Sequence, residues 1–514
     1  MSRLENSAKN IALSLGNSVL SSLLGFLSRT VFISTLGSDY LGLSGLLGNV
    51  LGFLSISELG IATAIGFGLY KPLAEKDYRS VSAFMSVYRR AYSVIGVFVL
   101  LSGIGLFSFL DFFVPLDQQP AGTDVAYFVF LINTVLGYFF SYKTTLIASD
   151  NQAYQLVWIS ASISIIQTVL QMIILLVFRS YLCYLGIQII CSVITMLLQN
   201  RFITRKYQQV DFYSRESLNP GQKKELKKNI GGLIIAKIGD YLINSTDNLI
   251  ITKLVSLRAT GIYSNYLLIR DIVNGYIATL FAGITAGMGN VVATETDKRK
   301  LEIFETMMFC SFFIYSFEAV CFLCLFNSFI GDLWIGRSYL FDTVTVGIIV
   351  INNYLTGLRI PLITMKSAAG TYMEDAWIPF AFAGINLVSS ILLAQKIGVA
   401  GVFLGTIIGS LLTADWYRPI VIYRKVLHSP VRRYYKKYLT YLALGFFYMG
   451  LGYWICSYVD TPFAAVTFLC RAGIAAALPL LCNILIFYRT AEFQAIRDMG
   501  RRLWSKLCIR LGKK

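Results

Sequence analysis

The chain has 514 residues, of which 56% are hydrophobic and only 14% charged, and its mean hydropathy is +0.64. Soluble domains carry about a quarter charged residues, so an ordinary soluble enzyme is excluded and an all-α polytopic membrane protein is expected. The formal net charge of +17 would suit a nucleic-acid binder, but the placement of the charges argues otherwise.

Runs of about 20 apolar residues cross a bilayer as helices. Fourteen such spans are expected, at 11–36, 41–70, 86–110, 124–147, 155–178, 182–202, 230–252, 260–289, 304–330, 342–365, 376–395, 399–417, 439–457 and 463–488. With a cytoplasmic N-terminus, 35 of the 45 Lys and Arg fall in cytoplasmic segments or at the cytoplasmic ends of spans, as Arg89, Arg90, Lys143 and Arg201 do. Five more lie outside (Arg179, Lys253, Arg258, Arg337, Lys396) and five deep within spans (Arg29, Lys237, Arg270, Arg359, Arg471). This is the positive-inside bias, and an even span count returns the C-terminus to the cytoplasm. The basicity is topological, and no nucleic-acid partner is expected. The first span is too long, and lacks the small-residue cleavage site, for a removed signal peptide.

Span 1 carries Arg29. Span 2 contains "SISELGIATAIGFGLYKPLAEKD" (55–77), in which Glu58 stands among Ile56, Leu59 and Ile61 before a ladder of Gly60, Ala62, Ala64, Gly66 and Gly68. Such a ladder lets a neighbouring helix approach closely in lipid, and Pro72 is expected to end the helix at its cytoplasmic exit. The longest loop, "TRKYQQVDFYSRESLNPGQKKELKKN" (204–229), separates an N-terminal lobe, 1–203, from a C-terminal lobe, 230–420. Spans 13 and 14 follow within 421–488, and 489–514 forms a basic amphipathic tail suited to the anionic inner leaflet.

The two lobes resemble each other internally. "SRTVFISTLGSDYLGLSG" (28–45) aligns on "TDNLIITKLVSLRATGIYSN" (246–265), with Leu36 on Leu254, Ser38 on Ser256 and Gly42 on Gly261 after one inserted residue. Both segments begin a six-span block on the same side, so the repeats would run parallel, as in several transporter folds.

No phosphate-cradling G-x-x-x-x-G-K-[ST] loop is present, which removes an ATP-driven pump within this chain. The single histidine, His428, lies in a loop, so a histidine metal site is not expected, and the chain is not read as an enzyme. The C-x-x-C of Cys321 and Cys324 and the glycines Gly401, Gly405 and Gly409 read as helix packing.

What remains is charge inside the spans, which costs about 2.5–3.5 kcal/mol per residue at mid-bilayer on insertion scales. The deep positions are Arg29, Glu58, Lys237, Asp240, Asp247, Arg270, Asp271, Glu318, Arg359 and Arg471. Lys237, Asp240 and Asp247 share one helix face, where Lys237 and Asp240 either neutralise each other or face a cavity. Arg270 and Asp271 are adjacent and so are not expected to pair on one face, while Glu318 and Arg471 are expected to be structurally paired. Arginine suits a phosphate-binding role because its fork stays charged and grips phosphate bidentately. A buried carboxylate suits ion coupling, because a proton or Na+ cancels its charge. Arg29, Arg270, Arg359 and Lys237 are therefore candidate substrate-binding cations. Glu58, Asp240, Asp247 and Asp271 are candidate ion-coupling acids, with a monovalent cation envisaged at Asp247 and no other cofactor.

"LGSDYLGLSGLLGNVLGFLSISELGIATAIGFGLYKPLAEKD" resembles the span 1–2 signature of Wzx-type oligosaccharide flippases, polysaccharide transporters of the multidrug/oligosaccharidyl-lipid/polysaccharide (MOP) exporter superfamily. "LINSTDNLIITKLV" and "ATGIYSNYLLI" resemble the start of their second half. The two final spans resemble the fourteen-span MurJ-type lipid II flippases rather than twelve-span multidrug exporters. The resemblance implies two six-helix lobes in a V around a central cavity, plus two C-terminal helices. It implies translocation of an undecaprenyl-pyrophosphate-linked oligosaccharide repeat unit by cation-coupled alternating access, for capsule, exopolysaccharide or O-antigen. Arg29 and Arg270 would match cationic cavity positions in MurJ-type relatives, and Asp247 an acidic, ion-linked one. The bacterial cytoplasmic membrane, membrane lipids, and a polymerase with other polysaccharide-assembly proteins follow as location and partners. The competing readings are a lipid II flippase or a MATE-like small-molecule or ion antiporter on the same fold. An O-antigen polymerase or glycosyltransferase is disfavoured because no sizeable extracytoplasmic loop exists to carry catalytic groups.

Overall fold

The computed structural model describes residues 3–54, 58, 60–216, 218–224, 226, 246–371 and 374–498. Among them there is no β-strand, and eleven helices are long and apolar enough to cross a membrane. The chain separates into two compact units, Met1–Asn265 and Tyr266–Lys514.

The first unit contains α1 (Arg3–Leu36), α2 (Ser38–Leu54), α3 (Ile61–Glu75), α4 (Tyr78–Phe107), the short α5 (Leu110–Phe113), α6 (Thr123–Ser141), α7 (Thr144–Ser149), α8 (Tyr154–Phe178) and α9 (Tyr181–Lys206). Residues 246–254 are helical, and α10 (Leu257–Thr294) starts in this unit and continues into the second. The second unit then carries α11 (Asp297–Ser328), α12 (Thr343–Ala369), α13 (Ile378–Ile397), α14 (Val399–Leu412), α15 (Ala414–Lys425), α16 (Arg432–Ser457) and α17 (Ala464–Phe487).

Of the fourteen expected spans, eleven correspond to these long apolar helices. The eighth corresponds to α10, and most of the seventh lies outside the described residues. The second differs in kind. It is not one helix over 41–70 but two, α2 and α3, with Glu58 in the interval and Gly60 in the left-handed region at φ +75° before α3 restarts. Glycine adopts that conformation without a Cβ clash, so Gly60 gives the chain a cheap place to turn. Pro72 does not end α3, which continues to Glu75 and closes on Lys76. Proline inside a helix needs only that its missing N–H and ring be accommodated, and near the last turn little is lost.

Helix starts obey local chemistry. Asp77 accepts from the Ser80 N–H at α4, and Asp342 accepts from the N–H groups of Val344 and Thr345 at α12. Each satisfies donors that a helix N-terminus leaves unpaired.

Packing within the units separates wall from core. In the first, α8 buries only 11% of its most apolar window and exposes Trp158, Leu176 and Phe178, as suits a face in contact with lipid. In the second, α11 is the central helix, packed against α12, α16 and α17, and 61% of its window is buried. The α13–α14 hairpin is tight as expected. A Cβ on Gly401 would lie 2.4 Å from the Leu393 carbonyl oxygen, and one on Gly405 would lie 2.5 Å from the Ser390 nitrogen. Backbones this close are what small residues permit in membrane bundles.

Candidate functional site

The two glycines aligned by the internal repeat meet each other. At the start of α2 and of α10, a Cβ on Gly42 would fall 2.1 Å from the Leu257 carbonyl oxygen, and one on Gly261 would fall 2.0 Å from the Ser38 carbonyl oxygen. Each glycine thus abuts the residue four before the other, so the crossing is locally two-fold. One turn beyond it, Ser264 donates to the Gly261 carbonyl at 2.7 Å and accepts from Nη1 of Arg29 at 2.8 Å. Arg29, half-buried on α1, has no carboxylate partner among the described residues. Asp247 lies half-buried in the helical stretch 246–254 and is held by interactions of its own. Lys237 and Asp240 lie outside the described residues.

Glu58, at the interruption of the second span, accepts a hydrogen bond from the Tyr92 hydroxyl. Tyr92 packs edge-on against Tyr88 at 4.4 Å and Tyr138 at 5.5 Å between ring centroids, and the Tyr88 hydroxyl reaches Thr145 at 3.2 Å. The restarting helix α3 borders a groove of about 760 Å³ walled by Thr63, Tyr70, Thr145, Ser149 and Gln199 together with apolar Ala62, Phe67, Leu156 and Val157. The break therefore puts an acid, a tyrosine cluster and a groove with both hydroxyl and apolar walls into one unit. Interrupted helices with polar groups at the break are the usual form of membrane binding sites.

In the second unit the cations are mostly neutralised. Arg270 and Asp271 do pair, contrary to expectation: Nε and Nη2 of Arg270 donate to Asp271 Oδ1 at 3.0 and 2.7 Å. Adjacent helical residues start about 100° apart, but the long arginine arm bends back across that angle. Arg359 is gathered in more closely. Its Nη1 donates to Ser410 Oγ at 2.6 Å, its Nη2 to Thr356 at 2.9 Å and its Nε to the Leu355 carbonyl at 3.1 Å. Ser410 in turn donates to buried Asp415, whose other oxygen stands 3.4 Å from Arg359 Nε. Arg471 is held by Ser328 and the Val459 carbonyl.

Glu318 was expected to be ion-paired and is not. It is 3% exposed on α11, and its Oε2 accepts from Asn353 Nδ2 at 3.1 Å, while Oε1 has no hydrogen-bond partner. Behind Asn353 stands Asn274, which donates to Asn353 Oδ1 at 2.9 Å and accepts from the Tyr315 hydroxyl at 3.1 Å. Reading spans for charge alone misses this cluster, because its members are amides and a phenol. The signal was available as "INNY" (351–354) and Asn274 inside apolar runs.

No protein-family model matches the chain, and no curated protein matches it in sequence. Solved structures do. The lipid II flippase MurJ in an inward closed conformation covers 93% of this chain and 99% of its own, at a TM-score of 0.66 and 13% identity. An inward-facing MATE family multidrug resistance transporter of the MOP superfamily covers 79% of this chain and 96% of its own, at 0.60 and 13%. The MATE transporter VcmN of Vibrio cholerae, in its bent form, covers 83% and 98%, at 0.52 and 14%. At these identities the likeness is one of fold. The chain has the multi-pass helical fold shared by the MATE and MurJ transporters of the MOP superfamily.

Proposed function

We propose that the protein is a transporter rather than an enzyme. It moves an undecaprenyl-pyrophosphate-linked oligosaccharide repeat unit from the inner to the outer leaflet of the bacterial cytoplasmic membrane, by cation-coupled alternating access, with both termini cytoplasmic. Arg29 carries the reading. A site for a pyrophosphate needs a cation that the protein has not already neutralised, and among the described residues Arg29 meets a serine hydroxyl and no carboxylate. Arg270, Arg359 and Arg471 spend their hydrogen bonds on Asp271, on Ser410 beside Asp415, and on Val459 and Ser328. The fold likeness to MurJ over nearly the whole chain supports a lipid-linked substrate, and the groove beside α3, with both hydroxyl and apolar walls, suits an amphipathic one. Glu58 and Asp247 are the acids we assign to ion coupling, with Asp240 and Asp271 as further members of that set.

The test uses Arg29→Ala and Arg29→Lys in the host, with membrane insertion confirmed by protease mapping. A charge-assisted hydrogen bond contributes about 1.5–3 kcal/mol, so Arg29→Ala should reduce export about tenfold or more. It should also accumulate the lipid-linked oligosaccharide in the inner leaflet, and Arg29→Lys should recover part of the loss. Mass spectrometry of the accumulated lipid separates a polysaccharide repeat unit from lipid II. Export unchanged in Arg29→Ala would sink the assignment.

A further inference from the structure

Glu318 stands apart from every residue the transport reading uses. It sits on the central helix of the second unit and is almost fully buried. An ionised carboxylate so placed must find a counter-ion, a metal or a proton, because an isolated buried charge is very costly. None of the groups that face it forms an ion pair with it. On its own helix these are Tyr315 and Cys321. From α12 there is Asn353, a neutral donor. From α10 there are Asn274 and Arg270, a cation whose field reaches Glu318 while its Nε and Nη2 donate to Asp271. α16 offers Cys456, whose neighbours are Cys324 and the Arg471 carbonyl. α17 offers Asn483, turned toward Ser316 and Tyr448, and Arg471, bonded to Ser328 and Val459.

A metal ion is also poorly served. The three donors form a directed chain, Tyr315 to Asn274 to Asn353 to Glu318, in which each amide oxygen already accepts a hydrogen bond. Monovalent and divalent hard cations need several oxygens turned toward one point, and here the oxygens are turned along the chain. That chain fixes Oε2 as an acceptor and leaves Oε1 bare at the carboxyl's other end.

We propose that Glu318 is an exchangeable proton-binding site of the second unit, with Oε1 the atom that takes the proton. The step is a simple acid–base exchange. Hydronium delivers a proton to Oε1, an O–H bond forms, water leaves, and the carboxylate becomes a neutral carboxylic acid; the reverse returns the proton to water. Asn353, Asn274 and Tyr315 are positioning residues, since they orient the carboxyl through Oε2 and do not themselves gain a proton. That this site drives transport rests on the cation-coupled reading above, whereas the binding of the proton does not.

The experiment needs no substrate. The full chain in lipid nanodiscs is followed by infrared difference spectroscopy as pH is stepped from mildly acidic to mildly alkaline, in H2O and in D2O. A carboxylic-acid carbonyl band, shifted by D2O, should lose intensity with rising pH as carboxylate bands grow, and Glu318→Gln should abolish that change. Asn353→Leu, which removes the donor to Oε2, should displace the band in frequency. Three results would each overturn the proposal: a difference spectrum unaltered in Glu318→Gln, a Glu318-dependent acid band that is constant across the whole range, or a band unmoved by Asn353→Leu. If Glu318→Gln does not fold, the wild-type and Asn353→Leu spectra decide between the same outcomes. A transport defect in Arg29→Ala with no pH-dependent acid band would leave the flippase reading standing and remove this site alone.

Discussion

Placing a methyl group at the Gly42–Gly261 crossing tests whether the repeat-related contact holds the first unit together. In Gly42→Ala the new Cβ would sit 2.1 Å from the Leu257 carbonyl oxygen, where ordinary contact begins near 3.4 Å, so the two backbones must separate by about 1.3 Å. No side-chain rotation relieves this, because the clashing atom is backbone. Gly261→Ala makes the mirrored demand, at 2.0 Å from the Ser38 oxygen. Overpacking costs about 1–3 kcal/mol, and the upper end applies to a rigid contact. Alanine in a helix returns about 0.5–1 kcal/mol relative to glycine. The net loss is therefore about 2 kcal/mol for either single variant. A displacement of that size also carries Ser264 out of reach of Arg29, now 2.8 Å away. Since either methyl opens the same gap, the second should cost much less than the first, and the pair should be strongly non-additive. Thermal unfolding in detergent, read by fluorescence-detected size exclusion, measures all three variants. Gly48→Ala on α2, where nothing lies within 4 Å of the added Cβ, is the control and should be neutral or stabilising. Additive losses, or single variants as stable as the Gly48 control, would refute the crossing as a structural contact.

Two other perturbations follow from the charge pairs and caps. Asp415→Asn removes the carboxylate from buried Asp415 while Arg359 keeps its charge, so it should destabilise the second unit by about 3–5 kcal/mol. The double change with Arg359→Met should recover most of that in the same unfolding assay, and a double variant no better than Asp415→Asn would count against the pairing. At Asp342, burial pushes the carboxyl up, but hydrogen bonds from the Thr345 hydroxyl and the N–H groups of Thr345 and Val344 outweigh it and hold the group below the usual carboxylate range. A folded-state pKa below the unfolded value contributes stability above about pH 4, and that stability is lost as pH falls through the lower folded value. Asp342→Asn should therefore be less stable than wild type at neutral pH and converge on it in acid; a difference independent of pH would contradict the cap.

Much of the architecture is legible because lipid imposes long apolar runs, which hydropathy reads directly. The tight α13–α14 hairpin is legible for a similar reason, since Gly401, Gly405 and Gly409 recur every four residues and so share a helix face. The interruption at Glu58 is harder to see. Hydropathy over 41–70 runs through it, and the only local marks are an acid and a glycine, each common enough in spans to pass unnoticed. Its consequence is nevertheless large. A helix that stops and restarts inside a span exposes backbone donors and acceptors, and these must be met by other polar groups. Tyr92, 34 positions away in sequence, could not have been named as the partner of Glu58 from spacing.

Charge inside a span is a sound first filter for function, but it selects for cost rather than for role. Arg359 and Arg29 pass it equally, and the structure separates them. Arg359 is matched by Asp415, 56 positions along the chain, directly and through Ser410. Arg29 is steadied by a hydroxyl that orients it and leaves its charge intact. The same reasoning runs in reverse for acids. Asp415 is paired with arginine, whereas Glu318 accepts its one hydrogen bond from an amide, which orients a carboxylate without cancelling it. Whether a charged residue is matched by an opposite charge or only by a dipole depends on partners brought together by folding, and spacing in the sequence does not give it.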